Sequence, residues 1–287
     1  MIDARDTALI IEGGGMRNSY TAPAIVKFIE NNVQFGWVGG VSAGSVHTLN
    51  YASRDAQRAR VAFTDFVGHP NFGGLRFLVR GKGLLNSQFI YEDSAEELPF
   101  DFDTFRSTPE EIHIEATRAD TGETVVWNRA DFTEVQLLNV ATRASSTLPL
   151  IMPVTMIDGV PYVDGALGSS GGLLIDAAQR AGYEKFLVLA TRPREYVKEV
   201  PSRPGVVKQL LRRNPAVADA VLARPELYNE AKQRMLDLES AGKAAVFFPE
   251  EMMVESTERN VAKLRDNYAA GTAQVEREWG AWREFLS

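Results

Sequence analysis

A serine set between closely spaced glycines is the group of residues best suited to chemistry in this sequence. Gly40-Val41-Ser42-Ala43-Gly44 matches Gly-x-Ser-x-Gly, the pattern of a nucleophile elbow, in which a sharp strand-to-helix turn exposes a serine hydroxyl. Glycine is needed on either side because a Cβ atom there would collide with the neighbouring strand and helix. Ser42 is therefore a candidate nucleophile, provided that a base and an anion-binding group lie beside it.

A serine hydroxyl needs a base to become a good nucleophile, and the chain has only three histidines. His47, His69 and His113 all follow Ser42, whereas the chymotrypsin and subtilisin orders need a histidine before the serine. The α/β-hydrolase order needs a histidine after the acid, which only acids before residue 113 allow. His47 would also point about 140° around the helix axis from the elbow. A carboxylate could serve as the base instead.

Asp164-Gly165-Ala166 follows a predicted strand, and Asp164 stands out among the carboxylates as a candidate base. The glycine would let the backbone turn and would leave the carboxylate uncovered. Asp-Gly is also a common turn pair, so these residues taken alone favour an ordinary turn.

A glycine-rich turn at Gly13–Gly15 follows the first predicted strand and precedes a helix. It does not fit a dinucleotide-binding fingerprint, because Asn18 stands where the third glycine should be, and it lacks the Gly-Lys-Ser/Thr ending of a P-loop. It is either a close-packed turn or a set of backbone N–H groups that converge on an oxyanion. Neighbouring parallel strands end at one edge of a sheet, so this turn is expected beside Ser42.

The order of predicted elements indicates a parallel sheet with helices on its faces. A strand at 7–11, a helix at 19–31 and a strand at 37–41 lead to Ser42, and a helix at 43–54 follows it. Further strands are predicted at 111–116, 123–127, 154–157, 160–163 and 185–191, and a further helix at 135–146. Beyond residue 192 the sequence predicts helices at 226–241, 258–269 and 272–285, with a strand at 244–248.

Composition excludes several classes of function. The 287 residues carry a net charge of -7, which argues against bulk nucleic-acid binding, and the absence of cysteine excludes disulfides, a thiol nucleophile and cysteine metal sites. No pattern of metal ligands or cofactor-binding motif is found, so we expect no metal and no cofactor. The N-terminal residues lack a signal pattern and no apolar run reaches about 18 residues. We expect a soluble, cytoplasmic protein that meets lipid only from the surface.

Three separated motifs, taken in order, resemble the signatures of patatin-like phospholipases. They are the glycine turn with its arginine, the serine elbow and the aspartate turn, written Gly13-Gly14-Gly15-Met16-Arg17, Gly40-Val41-Ser42-Ala43-Gly44 and Asp164-Gly165-Ala166. The stretch at 143–149 is similar to the one that precedes the family's aspartate. The resemblance covers about residues 7–192 and departs from the family at Asn18 and Pro23, where glycine is usual.

The resemblance implies a fold and a set of residue roles. The fold is a three-layer α/β/α core with a mostly parallel central sheet at residues 1–192, and residues 193–287 form a mostly helical extension packed on it. Ser42 is the nucleophile and Asp164 the base of a Ser–Asp dyad without histidine. Gly13, Gly14 and Gly15 form the oxyanion hole, and Arg17 positions the loop or the substrate. The implied function is hydrolysis of fatty-acyl esters of phospholipids or lysophospholipids through an acyl-enzyme.

Two other functions stay open on the sequence alone. One is a general carboxylesterase or acyltransferase that uses the same dyad, and the other is a non-catalytic lipid-binding module. The acyl-chain length, the headgroup and the oligomeric state are open as well.

Two segments could contact lipid. Residues 192–213 hold seven basic and two acidic residues, a net charge of +5, and could face anionic headgroups or form a solvated linker. The apolar residues around Gly73 and Gly74 could form a mouth or lid, or belong to the core; they are Phe72, Leu75, Phe77, Leu78 and Val79.

Overall fold

One mixed eight-stranded sheet forms the centre of the protein, as seen in a computed structural model that describes residues 1–287. The strand order is β5-β6-β3-β2-β1-β7-β8, and β4 pairs with β3 outside this path. The strands are β1 (Ile2–Ile11), β2 (Val33–Val41), β3 (Glu111–Arg118), β4 (Thr124–Asn128), β5 (Thr155–Ile157), β6 (Val160–Asp164), β7 (Lys185–Leu189) and β8 (Ala244–Phe247).

Ten α-helices surround the sheet. They are α1 (Ala22–Glu30), α2 (Ala43–Ala52), α3 (Ala56–Val61), α4 (Leu75–Val79), α5 (Phe102–Ser107), α6 (Val135–Ser145), α7 (Ile175–Arg180), α8 (Pro204–Leu210), α9 (Pro215–Ser240) and α10 (Val261–Leu286). None of them combines the length and the apolar character that crossing a lipid bilayer requires.

The parallel strands are buried on both faces, which explains why their sequences read as continuous apolar runs. The strands from β3 through β2, β1 and β7 to β8 pair in parallel, whereas β4, β5 and β6 pair antiparallel. Leu9 and Ile11 pack with residues of α1, α2, α6 and α10 on one face, and Ala8 and Ile10 pack with residues of α7 and α9 on the other. The prediction of a three-layer α/β/α fold is therefore confirmed.

The C-terminal segment completes the sheet and covers one face. β8 pairs with β7 from Phe186↔Ala244 to Leu189↔Phe247, so the central sheet extends into this segment. On α10, Trp279 and Trp282 pack on Phe28 of α1. The C-terminal segment and the rest of the sheet are thus part of one packed structure.

Two predictions of helix limits in this segment are wrong. α9 begins at Pro215, not at residue 226, and Pro225 lies inside it. A proline suits the first turn of a helix, and the cost of the internal proline, about 3 kcal/mol, is offset by the apolar groups that α9 buries on both sides of it, such as Val217 and Met235.

The helices predicted at 258–269 and 272–285 form a single helix, α10. Gly271, which lies between the two predicted ranges, is part of α10, and the helix passes very close to Tyr20 there. A Cβ atom on Gly271 would lie 2.2 Å from the Tyr20 carbonyl oxygen. The glycine therefore serves close packing and does not end the helix.

Candidate active site

Ser42 lies on a strained turn between β2 and α2. Its φ of 55° is unusual for a residue other than glycine and is the conformation expected of a nucleophile elbow. A Cβ atom on Gly40 would lie 2.4 Å from the Gly44 carbonyl carbon, and one on Gly44 would lie 2.2 Å from the Ile11 carbonyl oxygen. The two glycines thus allow α2 to pack directly on β2 and β1, which holds the serine at the end of the sheet.

Strand register brings Asp164 to the same end of the sheet. β3 lies between the two residues: Val41 of β2 pairs with Glu115 of β3, and Ala116 of β3 pairs with Asp164 of β6. The hairpin strand β6 runs antiparallel to β3, so its last residue, Asp164, reaches the level at which β2 ends. Gly165 permits this close approach, because a Cβ atom there would lie 2.1 Å from the Glu115 carbonyl oxygen.

The Asp164 side chain is almost completely removed from water, which raises the pKa of its carboxyl group. Three groups partly oppose this effect by stabilising the carboxylate: the positive charge of Arg224, the N–H of Ala166 and the hydroxyl of Ser42. The Ala166 N–H donates to Asp164 Oδ1 at 2.9 Å. A carboxylate with a raised pKa is a stronger base than an ordinary aspartate.

The last residue of α6 and the residues just after it tie the serine and the aspartate together. The Ser42 N–H donates to Ser145 Oγ at 3.0 Å, and the Asp164 N–H donates to the Thr147 carbonyl oxygen at 2.9 Å. Next to them, removal from water raises the pKa of Tyr91 to about 12. The Tyr91 hydroxyl is therefore protonated at neutral pH. The sequence singled out 143–149 through the resemblance, but gave no sign of Tyr91.

The turn at Gly13–Gly15 lies directly beside Ser42. A Cβ atom on Gly13 would lie 2.9 Å from Ser42 Cβ, and the Gly13 and Gly15 N–H groups donate to no protein group. Asn18, with its amide oriented to satisfy both of its polar atoms, accepts from the Gly14 N–H at 3.2 Å and donates to the Glu12 carbonyl oxygen. Asn18 thus uses a donor that was assigned to the oxyanion hole.

Arg17 is buried behind this turn and does not reach the cavity. Its side chain forms no ion pair, and its Nε atom is buried without a hydrogen-bond partner. Burial, followed by the charge of Arg192, lowers the pKa of Arg17. Pro23, the second departure from the family pattern, occupies the first turn of α1, where its missing N–H leaves no helical bond unmade.

All three histidines contact groups other than Ser42. His47 Nε2 lies 3.1 Å from the Asn18 carbonyl oxygen, and burial lowers the pKa of His47 to about 4. His113 contacts Glu115 at 2.9 Å, and His69 stacks on Phe89. None of them is hydrogen-bonded to Ser42.

An apolar cavity opens from Ser42 toward α2 and α6. Of its 23 lining residues 14 are hydrophobic, among them Val46, Leu49, Phe72 and Leu85. The C-terminal segment forms one wall through Ser256, Thr257 and Glu258. Ser256 also fixes the glycine turn, because its carbonyl oxygen accepts from the Met16 N–H at 2.9 Å. Sequence patterns near the motifs could not reveal these residues, which lie more than 200 positions away from the elbow.

Comparison with known families places the chain. A model of the patatin-like phospholipase family matches residues 9–176, more than half of the chain, and spans the glycine turn, the elbow and Asp164. The chain belongs to the patatin-like phospholipase family. The resemblance drawn from the three motifs is confirmed, and at the level of the family it indicates a lipid acyl hydrolase. A second model, a domain of unknown function named DUF6363, matches residues 214–287.

Two individual proteins are similar to the chain. The uncharacterized protein YjjU of Escherichia coli (strain K12) is 28% identical over 192 residues, which cover 65% of this chain and 52% of YjjU. The chain therefore spans about half the length of this curated relative. The crystal structure of VipD from Legionella pneumophila matches 96% of this chain and 77% of its own, with a TM-score of 0.41 and 12% identity.

Proposed function

We propose that this protein is a serine hydrolase that cleaves fatty-acyl esters of phospholipids or lysophospholipids through a Ser42–Asp164 dyad. The observation that carries the proposal is the meeting of an elbow serine with a buried carboxylate at one end of the sheet. Two free backbone N–H groups and an apolar cavity adjoin the pair. Residues 1–192 supply the catalytic core in this proposal, and residues 193–287 close the cavity.

The reaction proceeds in two displacements. Asp164 accepts the proton of the Ser42 hydroxyl as Oγ attacks the ester carbonyl carbon, and the N–H groups of Gly13 and Gly15 stabilise the oxyanion. Asp164 then returns the proton to the leaving alcohol, which leaves an acyl group on Ser42. Asp164 next takes a proton from water, which attacks the acyl-enzyme, and the fatty acid is released as Ser42 regains its proton.

The surface around the cavity mouth is suited to contact with an anionic lipid bilayer. It exposes five large apolar side chains, called the mouth surface here: Leu75, Leu78, Val79, Leu84 and Leu150. Four of these residues lie in the segment 75–84, which adjoins the cavity because Phe72 and Leu85, on either side of the segment, line the cavity wall. The exposed side chains of Arg76, Arg80 and Lys82 lie within the same segment and add positive charge.

Only part of the basic stretch at 192–213 could join this contact. Arg194 pairs with Glu239 at 2.7 Å, and Lys208 pairs with Asp219 at 3.4 Å. Arg203, Arg212 and Arg213 are exposed and form no ion pair, so these three are the side chains that we assign to headgroup contact.

The experiment that tests the proposed function compares turnover of short-chain esters, lysophospholipids and diacyl phospholipids by the protein and two variants. Ser42→Ala and Asp164→Asn should each lower turnover by about a thousandfold or more, because each removes a partner of the same proton transfer. Asp176→Asn, which removes a surface ion-pair partner of Arg234, is the matched control and should leave turnover unchanged. Full turnover by Asp164→Asn would show that the dyad assignment is wrong.

A further inference from the structure

Four basic side chains near the active site outnumber the acidic groups that face them. They are Arg17, Arg192, Lys198 and Arg224, called the cationic cluster here. None of them forms an ion pair, and the Nε atoms of its three arginines are buried without a hydrogen-bond partner. Arg17 is buried and the other three are half-buried, so water stabilises these charges only in part and an anion that entered the cluster would be favoured.

The cationic cluster borders both halves of the catalytic site. A Cβ atom on Gly14 would lie 3.2 Å from the Arg17 guanidinium. Arg192 follows Thr191, which donates from its hydroxyl to the Gly13 carbonyl oxygen at 2.8 Å and from its N–H to Glu12 at 2.6 Å. On the other side, the charge of Arg224 lowers the pKa of Asp164.

Acidic groups offset only part of this charge. Glu12 is the buried acid beside the cationic cluster, and its carboxylate also accepts from the Thr191 N–H. Asp164 borders Arg224, and the exposed Glu255 acts on Arg17. Burial, followed by the charge of Arg224, lowers the pKa of Lys198 to about 8. The four basic groups therefore still exceed the acids that face them.

The aromatic rings beside the cationic cluster are already covered by its positively charged side chains. Arg192 stacks on Tyr196 at 4.4 Å from the ring centre, and Lys198 lies 4.6 Å from the centre of the Tyr228 ring. A headgroup that ends in a quaternary ammonium would need such rings and would instead meet like charge. An anionic group without a positive end fits these surroundings.

We propose that the cationic cluster binds a terminal phosphate, so that the preferred substrates are acyl lipids with a phosphomonoester headgroup. Guanidinium groups match the geometry of phosphate oxygens, and a phosphomonoester carries about -1.5 to -2 charges at pH 7. The apolar cavity is lined by residues of α2 and α6, whereas Arg224 of the cationic cluster lies on α9, which packs on the other face of the sheet, and its charge acts on Asp164. An acyl ester at Ser42 would extend its fatty chain one way and its phosphate the other.

This proposal rests on the proposed function, and its test measures a ratio of turnover. Hydrolysis of a lysophosphatidic acid, a lysophosphatidylcholine and a monoacylglycerol with the same short acyl chain is compared below the concentration at which they form micelles. The protein should show a kcat/KM for the phosphomonoester at least about tenfold above that for either other lipid. Arg192→Gln and Lys198→Gln should each lower the ratio of phosphomonoester to monoacylglycerol turnover by about tenfold.

The control variant is Arg194→Gln. It removes the same charge only two residues from Arg192, but this arginine is exposed and pairs with Glu239. Its ratio should equal that of the unaltered protein. Variants of Arg17 and Arg224 are avoided, because the first adjoins the glycine turn and the second acts on Asp164.

Other outcomes would contradict either the phosphate proposal or the proposed function. Equal ratios in the protein and in Arg192→Gln would overturn the phosphate proposal while hydrolysis itself stands. Binding of inorganic phosphate to Ser42→Ala that depends on Arg192, together with unchanged lipid ratios, would assign the cationic cluster to free phosphate and also overturn it. If no ester is hydrolysed, the proposed function fails. In that case, equilibrium binding of the phosphomonoester and the monoacylglycerol to the same variants shows whether the cationic cluster binds the terminal phosphate.

Discussion

At the scale of single residues, the question is how an aspartate can replace histidine as the base for a serine. An unperturbed aspartate, with a pKa of about 3.9, holds a proton only weakly at neutral pH. Burial of Asp164 raises this pKa, whereas Arg224, the Ala166 N–H and the Ser42 hydroxyl limit the rise. His47 has undergone the opposite change, since burial lowers its pKa to about 4. In the proposed mechanism, the proton of Ser42 therefore passes to a carboxyl group that its surroundings make more basic.

The pH dependence of hydrolysis should follow the ionisation of Asp164. The base acts only when ionised, so kcat/KM for an uncharged short-chain ester should rise with pH along an acid limb whose apparent pKa lies above 3.9. Because the charge of Arg224 lowers the pKa of Asp164, Arg224→Gln should move this limb to higher pH.

The matched control for this measurement is Arg234→Gln on the same helix, whose arginine pairs with Asp176 at the surface. Its acid limb should coincide with that of the unaltered protein. An acid limb at the same pH in Arg224→Gln would show that Asp164 is not the group that titrates.

At the scale of the elements, the sequence predicted what depends on local patterns. The ends of β1 and β2 and the start of the helix after Ser42 were predicted correctly, because short-range patterns decide them, whereas the two strands begin five and four residues before their predicted starts. The limits of α9 and α10 were missed, because Pro225 and Gly271 are tolerated only through contacts with distant residues.

Some residues of the candidate site could be predicted from local motifs, and others could not. The motifs predicted Ser42, Asp164 and the glycine turn, and strand register explains why they lie together. The engagement of the Gly14 N–H by Asn18, the cavity wall at 256–258 and the cationic cluster depend on packing between distant parts of the chain. No local pattern could have revealed them.

The two glycines of α10, the buried Gly271 and the exposed Gly280, allow a test of the packing described for this helix. Gly271→Ala should lower the free energy of unfolding by about 1–3 kcal/mol, because the new Cβ atom would collide with the Tyr20 carbonyl oxygen. Gly280→Ala is the matched control: no atom lies within 4 Å of its Cβ position, so it should raise stability by about 0.5–1 kcal/mol. Urea unfolding measures both changes, and stabilisation by both substitutions would contradict the close contact between α10 and Tyr20.

At the scale of the whole molecule, the C-terminal segment and the core both contribute to the candidate active site. The segment adds β8 to the sheet, closes the apolar cavity and supplies Arg224 of the cationic cluster. The mouth surface then presents exposed apolar side chains next to the cavity, although the chain carries a net charge of -7. In the proposed function, this surface would contact the bilayer from which a lipid enters the cavity.

Binding to vesicles should depend on the mouth surface. The double variant Leu75→Glu/Val79→Glu removes two of its most exposed apolar side chains and should reduce binding to vesicles with anionic headgroups by about tenfold or more. The control Val126→Glu/Met156→Glu adds the same charge at exposed positions on β4 and β5. Cosedimentation with vesicles measures both, and equal binding by the two double variants would remove the mouth surface from the account.

Covalent labelling by a fluorophosphonate tests the central claim, a Ser42–Asp164 dyad without histidine, most directly. Intact-mass and peptide analysis should find one adduct, on Ser42, in the unaltered protein and none in Ser42→Ala. Labelling should be slowed by about a hundredfold or more in Asp164→Asn, while folded His47→Gln, His69→Gln and His113→Gln should react at the normal rate. An adduct on another residue, or a labelling rate that depends on a histidine and not on Asp164, would contradict the account.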